Sequence, residues 1–281
     1  MNVKQYILIS IGTLLLNLFT YSQSSKEIIA KNQFRYKNEY LVVSASEANR
    51  DSILITTSEF DTLGNEIKKI YFDEAGAIKW IDSTYYNENG DVLKKKTWNL
   101  KIKSLTSTEY KYMEKGKPVS EIHASEMSKQ VSTTEYQIQY GKDGKMKKKF
   151  YKNDFIPFYL YQQFEFNEKG LMIAVVHFDS KGEESYSTIF EYDKQGNIIN
   201  EYRENSNGKK LTKSNKYKGN LLIQSMAFFS STSNLGNGAV YQMKSEVVSE
   251  YNYNSSGLVS SVISTNQNKS TQHLAYIYSR E

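Results

Sequence analysis

Short runs of alternating apolar and polar residues recur along the chain, and each run ends in the same turn signature. Within 166–208 an aromatic residue, an Asp or Asn, two further residues and a glycine follow one another three times, ending at Gly170, Gly182 and Gly196. Asp or Asn at the first position of a type I turn accepts a backbone hydrogen bond, and glycine at the fourth position adopts positive φ without steric cost. The signature therefore predicts β-hairpins with three-residue loops and a G1 bulge.

The same spacing, an aromatic residue four positions before a glycine, occurs along most of the chain. It predicts structural turns at Gly64, Gly76, Gly90, Gly116, Gly144, Gly170, Gly182, Gly196 and Gly257. Because hairpin turns alternate between the two ends of a meander, every second turn should lie along one edge. The glycines of that edge, from Gly64 to Gly196, are 26 or 28 residues apart. This count also predicts turns without glycine near 100–104, 127–130 and 153–157.

These turns predict an all-β protein, an antiparallel meander of hairpin repeats with roughly 14 to 18 strands and a single domain at 23–281. A flat layer cannot bury a core, so we expect a long curled or coiled sheet, either open and barrel-like or single-layered. We expect no helix after residue 22.

Strands are predicted at 34–43 and 52–60, with a turn near 48–51, and at 242–253, 258–264 and 271–278. The Ser/Asn/Gly-rich stretch 225–237 is predicted to be a loop.

An even number of residues separates successive turns, which predicts one aromatic face. Its members would be Ile78, Trp80, Tyr86, Val92, Trp98, Met172, Val176, Phe178, Tyr186, Phe190, Tyr192, Ile198 and Tyr202, together with Lys68, Lys94 and Lys148. The lysine runs at 68–69, 94–96 and 147–149 form either a basic stripe for anionic polysaccharide or membrane phosphate, or a solvated strand surface. The candidate binding surface consists of Trp80, Trp98, Tyr86, Tyr192, Lys95 and Lys149.

The N-terminus has the features of a secretory signal peptide. Lys4 precedes an apolar stretch at 7–19, and small residues at Thr20 and Ser22 predict cleavage between Ser22 and Gln23. A short membrane anchor is the alternative, but the run is shorter than the roughly 20 residues that a spanning helix needs. We therefore expect export to the periplasm, the outer surface or the medium, with no transmembrane span after cleavage.

The composition narrows the possible chemistry. The chain has no cysteine, which excludes disulfides and thiolate metal sites, and its net charge of +5 gives no indication of a nucleic-acid partner. No metalloprotease, phosphate-binding or nucleophile motif is present, and His177 is expected to be a half-buried structural residue. The loop at 87–91 vaguely resembles a calcium site but is better explained as a turn. We expect no cofactor, no metal and no catalysis.

The segments YDKQGNI (192–198), FDTLGN (60–65) and FDEAGAI (72–78) resemble the tyrosine-aspartate (YD) repeats of the Rhs family of bacterial exported proteins. They are also similar to the hairpin repeats of MORN-type and YwqK-type antitoxin proteins. Resemblance to the Rhs family implies a β-strip that coils into a shell, with carbohydrate binding or toxin encapsulation as its associated roles.

The leading hypothesis is an exported, non-enzymatic binding or scaffold protein of the bacterial cell envelope. Its partner would be glycan or protein, bound on Tyr and Trp rows or by pairing to an open sheet edge. The alternative is a relative of a toxin-delivery shell or its immunity-type partner. A glycan-active enzyme using Glu183 and Glu184 is less favoured, because adjacent residues on a strand point to opposite faces.

Overall fold

The computed structural model describes residues 18–42, 52–127, 130–234 and 240–280. One helix, α1 (Leu18–Lys31), precedes eighteen strands in this part of the chain. The strands are β1 Tyr36–Val42, β2 Ser52–Phe60, β3 Glu66–Phe72, β4 Ile78–Tyr86, β5 Val92–Asn99, β6 Ser104–Glu114, β7 Lys117–Met127, β8 Gln130–Tyr140, β9 Met146–Asn153, β10 Tyr159–Phe166, β11 Met172–Phe178, β12 Glu184–Tyr192, β13 Ile198–Asn205, β14 Gly208–Lys218, β15 Leu221–Asn234, β16 Val240–Tyr253, β17 Val259–Asn266 and β18 Thr271–Ser279.

The sheet is a closed antiparallel meander. From β2 to β18 each strand pairs with its neighbours in sequence, and β1 lies between β18 and β2. Tyr36 of β1 is opposite Ser279 on one side and Glu59 on the other. The predicted all-β meander is therefore confirmed, and it closes into a barrel. The expectation of an open edge for a pairing partner is wrong for the described strands, because β1 occupies that position.

The turns follow the predicted chemistry. All nine predicted turn glycines have positive φ, between 72° and 88°. In the first turn the Asp61 carboxylate accepts hydrogen bonds from the backbone N–H groups of Leu63 (2.9 Å) and Asn65 (2.8 Å). The predicted turns at 100–104 and 153–157 are confirmed, and Lys103 supplies the positive φ (51°) in the first of them. The turn residues between β7 and β8 and the predicted turn at 48–51 lie outside the described residues.

Two predictions about local structure are wrong. Residues 23–31 belong to α1 although no helix was expected there. The expected loop at 225–237 is a strand as far as residue 234, because β15 pairs with β16 along its length, as at Phe228 opposite Glu246. Pairing with a long neighbouring strand overrides the Ser- and Asn-rich composition. Residues 235–239 lie outside the described part of the chain.

Helix α1 packs against one end of the barrel. Ile29 on the helix, Phe60 and Leu258 form a small buried cluster, with exposed fractions of 6%, 7% and 1%. We call this end, which holds the turns at Gly64 and Gly257, the helix end, and the opposite end the far end. The helix residues in these contacts follow the predicted cleavage site. No helix in the described ranges is long and apolar enough to cross a membrane.

The register changes by one residue just beyond most turns. Phe60 is opposite Glu66, but Glu59 is opposite Lys68, so one residue of β3 is extra. The same shift follows the turns from β4 to β5, β10 to β11 and β12 to β13. Such a bulge offsets the alternation of side chains between neighbouring strands. A single aromatic face, predicted by counting residues through the turns, is therefore wrong.

Burial identifies which face of the sheet points inward. Following the residue pairs around the barrel places every buried strand residue except Ser187 on one face, namely Thr56, Ser58, Phe60, Ser104, Ile138, Val175, Phe190, Glu201, Asn215, Ser225 and Val262. Phe60 on this face also contacts α1, so this is the inner face. Trp80 belongs to it, whereas Trp98 is opposite Ile81 and lies on the outer face, 44% exposed.

The bulges explain why the aromatic residue before most helix-end turns is tyrosine. A bulge leaves a backbone carbonyl without its ladder partner. In six places a tyrosine hydroxyl of the next hairpin donates to the carbonyl at that bulge: Tyr86 to Glu66, Tyr112 to Val92, Tyr140 to Pro118, Tyr192 to Met172, Tyr217 to Ile198 and Tyr253 to Leu222, at 2.5 to 3.2 Å. We call these contacts the tyrosine bridges. They join six of the hairpins to the preceding one.

The tyrosine bridges should contribute measurably to stability. Removing the hydroxyl in Tyr112→Phe leaves the half-buried carbonyl of Val92 without its donor, and we expect a loss of about 1 kcal/mol in the free energy of unfolding. Urea denaturation measures it. Tyr85→Phe on the outer face, where the ring is 50% exposed, is the matched control and should change stability little. Equal effects of the two substitutions would contradict the role of the bridges.

Gly64 should tolerate a side chain less well than Gly76. Both have positive φ (75° and 80°), so alanine strains either backbone by about 1 kcal/mol. At Gly64 the added Cβ would also lie 2.3 Å from the carbonyl oxygen of Lys26, whereas the position at Gly76 is open. We expect Gly64→Ala to displace α1 and lose at least about 2 kcal/mol more than Gly76→Ala, because Ile29 loses its burial. Similar thermal and urea midpoints for the two variants would contradict the packing of α1.

Candidate functional site

A continuous row of rings lines the inner face from β7 to β12. It consists of His123, Tyr136, Tyr151, Tyr159, Tyr161, His177 and Tyr186, and we call it the tyrosine row. Successive ring centroids lie 4.2 to 6.4 Å apart. Aromatic pairs at these separations are within the favourable range for offset or edge-to-face contact. The row therefore forms an extended surface of ring faces and hydroxyl groups inside the barrel.

Strand register builds the row. Tyr136 on β8 is directly opposite Tyr151 on β9, which is opposite Tyr159 on β10. Tyr161 is two residues from Tyr159 on β10 and therefore points to the same face, where it contacts both Tyr151 and His177. Directly opposite side chains on neighbouring strands are 4.5–5.5 Å apart at Cβ, which is close enough for ring contact.

The β12 end of the row is a stack of three planar groups. The His177 ring lies 4.2 Å from the Tyr186 ring at an interplanar angle of 15°, and the Arg203 guanidinium lies 3.7 Å from the Tyr186 centroid. Burial, with the nearby charge of Arg203, lowers the pKa of His177 to about 4. The imidazole is therefore neutral at physiological pH, and Arg203 provides the positive charge at this end.

The β7 end holds an ion pair. Lys149 Nζ lies 2.9 Å from the Glu121 carboxylate and 4.1 Å from the Tyr136 centroid, and His123 Nε2 lies 3.6 Å from Glu121. Burial raises the pKa of Glu121, but the contacts with His123 and Lys149 outweigh it and hold that pKa below its usual range. Burial raises the pKa of Tyr136 to about 12. At neutral pH this end thus presents an ionised carboxylate and protonated tyrosine hydroxyls.

The six residues of the predicted binding surface do not form one site. Lys149 joins the tyrosine row, but Tyr86 and Tyr192 form tyrosine bridges near the helix end. Trp80 packs on Tyr71 on the inner face, with ring centroids 4.7 Å apart, and Lys95 lies on the same face of β5. Since Trp98 lies on the outer face, the two tryptophans do not share one surface.

The predicted aromatic face and basic stripe are both divided between the two sides of the sheet. Val176, Phe178 and Tyr202 of that face lie outside with Lys68, Lys94 and Lys148, because consecutive strand residues alternate in direction. Lys94 forms an ion pair with Glu109, as Lys149 does with Glu121. The lysines therefore do not combine into one positive surface.

Sequence reasoning missed most of the tyrosine row. His123, Tyr136, Tyr151, Tyr159 and Tyr161 lie on β7 to β10, where two of the connecting turns lack the glycine signature. Counting from one signature to the next could not fix their faces. The sequence does show that three successive strands are rich in tyrosine. This enrichment did not show that the rings lie on the same face of the sheet.

No protein-family model matches the chain, and no curated protein matches it in sequence. A porin-like protein from Bacteroides uniformis is 9% identical over 88% of this chain and 98% of that chain, with a TM-score of 0.36. In the crystal structure of TcdB2-TccC3-Cdc42, the matched chain is 9% identical over 78% of this chain, with a TM-score of 0.30. The Photorhabdus luminescens Tc holotoxin pore is 10% identical over 85% of this chain, with a TM-score of 0.30. This chain spans 19% and 18% of those two toxin chains. Likeness at this level carries no argument about function.

The buried imidazole of His177 should make stability depend on pH. A histidine in the unfolded chain has a pKa of about 6.5. Between pH 6.5 and 4, His177 is therefore protonated in the unfolded state but neutral in the folded state. Stability should therefore fall as the pH drops through this window, by on the order of 1–2 kcal/mol for a partly screened ring. Urea denaturation at pH 7 and pH 4.5 should show a smaller loss for His177→Gln than for the native chain. An NMR titration midpoint of His177 near 6.5 would contradict this account.

Proposed function

We propose that this chain is an exported, non-enzymatic glycan-binding protein of the bacterial cell envelope, and that the glycan lies along the tyrosine row. The observation that carries the proposal is the unbroken contact of seven rings on the inner face of β7 to β12. A sugar ring presents a face of C–H bonds that packs on aromatic rings, and hydroxyls at its edge that bind polar groups. Tyrosine offers both an apolar ring and a polar tip.

The polar groups at the two ends of the row support binding. Glu121 accepts hydrogen bonds, and Arg203 donates them, in positions fixed by their contacts with Lys149 and Tyr186. A binding site of this kind combines an apolar lining with a few placed polar groups. The row extends across six adjacent strands, roughly 24 Å of wall between β7 and β12 at about 4.8 Å per strand. That length suits an oligosaccharide better than a single sugar.

The lowered pKa of Glu121 supports a role without catalysis. A general acid needs a pKa near the working pH, and that of Glu121 is lowered. Glu201 has a raised pKa, but it lies on β13, six strands from β7. This is roughly 29 Å around the wall, compared with about 5–10 Å between the paired carboxylates of glycosidases. The two carboxylates are therefore not arranged along the wall as an acid and base pair.

The predicted signal peptide supports export, and the YD-like repeats support a place among exported hairpin-repeat proteins. The helix contacts are compatible with processing, since Lys26, Ile29 and Ala30 all follow the predicted cleavage site. Cleavage after Ser22 would leave the packing of α1 on Gly64 and Phe60 intact. An absence of cysteine suits an oxidising compartment, where unpaired thiols react.

A second candidate is a relative of an Rhs-type delivery shell or an immunity-type partner, and the observation relevant to a shell is that the wall is closed and encloses an interior. Eighteen strands tilted by about 40° enclose a barrel about 36 Å across between backbones. A folded domain of 100 residues has a radius of gyration of about 13 Å and is about 34 Å across. It would fill the barrel and leave no room for the side chains of the wall. A shell role would therefore be limited to an unfolded or very small cargo.

Glycan-array binding by the purified chain, followed by calorimetry on the strongest hit, tests the proposed function. Tyr151 contacts three other tyrosines of the row, and we expect Tyr151→Leu to weaken the affinity at least about tenfold, or about 1.4 kcal/mol. Tyr85→Leu on the outer face is the matched control and should bind as the native chain does.

Two outcomes would overturn the proposal. One is a chain that binds no glycan on the array. The other is a hit whose affinity is unchanged by Tyr151→Leu, which would place the glycan away from the row. A parallel pull-down from envelope extracts addresses the second candidate, which gains support if a protein is recovered whose capture is insensitive to added glycan.

A further inference from the structure

An unusual group of polar side chains lies on the inner face of β13 and β14. Glu201 on β13 is 4% exposed and directly opposite Lys213 on β14. Among the described residues, the Glu201 carboxylate makes no hydrogen bond and no ion pair within 4 Å. Burial raises the pKa of Glu201 and lowers that of Lys213, while the charge of each opposes the shift of the other. A buried charge without close partners is costly.

A third polar group lies next to this pair. Asn215 is two residues from Lys213 on the same face of β14 and is 5% exposed. Its Nδ2 group donates to the carbonyl of Ile198 at 2.8 Å, but its Oδ1 is fully buried without a hydrogen-bond partner. Most buried polar atoms in native proteins are hydrogen-bonded, so each exception calls for a reason. Because Asn215 Oδ1 is closed off from solvent, the groups that a ligand can reach here are Glu201, an acceptor, and Lys213, a donor.

This polar group adjoins the tyrosine row. Glu201 and Arg203 point to the same face of β13, two residues apart, and Arg203 stacks on Tyr186 at the end of the row. Arg203 lies nearer the far end of the barrel, and Glu201 is one step closer to the helix end. A chain-like ligand that follows the row to Tyr186 and then turns toward the helix end therefore passes Arg203 and reaches Glu201.

Donor and acceptor roles restrict the chemistry of the ligand. The Glu201 carboxylate requires donors, and the Lys213 ammonium requires acceptors. A phosphate or carboxylate ligand cannot donate to Glu201 and would be repelled by it. An ammonium ligand cannot accept from Lys213 and would be repelled in turn. A hydroxyl both donates and accepts, so a neutral sugar satisfies both groups.

We propose that Glu201 and Lys213 form a polar subsite that binds the terminal unit of a neutral, hydroxyl-rich glycan lying on the tyrosine row. The inference rests on the proposed glycan-binding function and adds the position and class of the terminal sugar. Hydroxyl groups of that sugar donate to Glu201 and accept from Lys213. Burial of the subsite strengthens these charge-assisted hydrogen bonds relative to water.

The test compares the native chain with Glu201→Gln on a panel of matched neutral, uronic-acid-containing and free-amine glycans. We expect the native chain to prefer the neutral glycans, and Glu201→Gln to weaken their binding at least about tenfold, since charged acceptors contribute more than neutral ones. Glu250→Gln on the outer face of β16, where the side chain is exposed, is the matched control and should leave affinity unchanged. Thermal melting of each variant establishes that it is folded.

The outcomes separate the subsite from the proposed function. Neutral-glycan binding that Tyr151→Leu weakens and Glu201→Gln does not would overturn the subsite and leave the function standing. A preference for free-amine glycans that is lost in Glu201→Gln would overturn the neutral ligand class. Absence of binding to every glycan of the panel would overturn the function, and the subsite with it. A tenfold effect of both variants on neutral glycans, with Glu250→Gln unaffected, supports the subsite.

Discussion

The bulge that follows most helix-end turns is the constraint on which the rest of the structure depends. It adds one residue to the outgoing strand, leaves a carbonyl without its ladder partner, and offsets the faces of neighbouring strands. The hydroxyls of Tyr86, Tyr112 and their equivalents bind those carbonyls and join six of the hairpins to the one before. Hydrogen bonding between hairpins thus replaces part of the stabilisation that a large apolar core would provide, since few apolar residues in the described ranges are buried.

The offset that the bulges introduce between neighbouring strands also determines which side chains point into the barrel. It places tyrosines of β8 to β12, the Glu121 ion pair and the polar group around Glu201 on one inner surface. It also sends Trp98 and Tyr85 outward, away from Trp80 and the tyrosine row. The inner surface of the barrel is consequently amphipathic, with ring faces along the row and the Glu201 carboxylate opposite the Lys213 ammonium beyond it. This combination is the physical basis for a carbohydrate ligand.

Turn chemistry is local and could be predicted well from the sequence. Asp61 and Gly64 act within a few residues, so the meander and even the glycine-free turn at 153–157 followed from spacing. Closure could not be predicted, because it depends on β1 pairing with β18 more than 200 residues away. The faces were wrong for a different reason. A bulge leaves no distinct residue type at its own position, so counting through turns placed Trp80 and Trp98 together.

Cross-linking of paired cysteines on β4 and β5 tests the register most directly, since the native chain has no cysteine. With the bulge, Ile81 is opposite Trp98, and directly opposite residues lie within the Cα separation that a disulfide spans. We predict that Ile81→Cys with Trp98→Cys oxidises readily to an intramolecular disulfide, whereas Trp80→Cys with Trp98→Cys does not. Preferential cross-linking of the second pair would show a register without the bulge and contradict the arrangement of the inner surface.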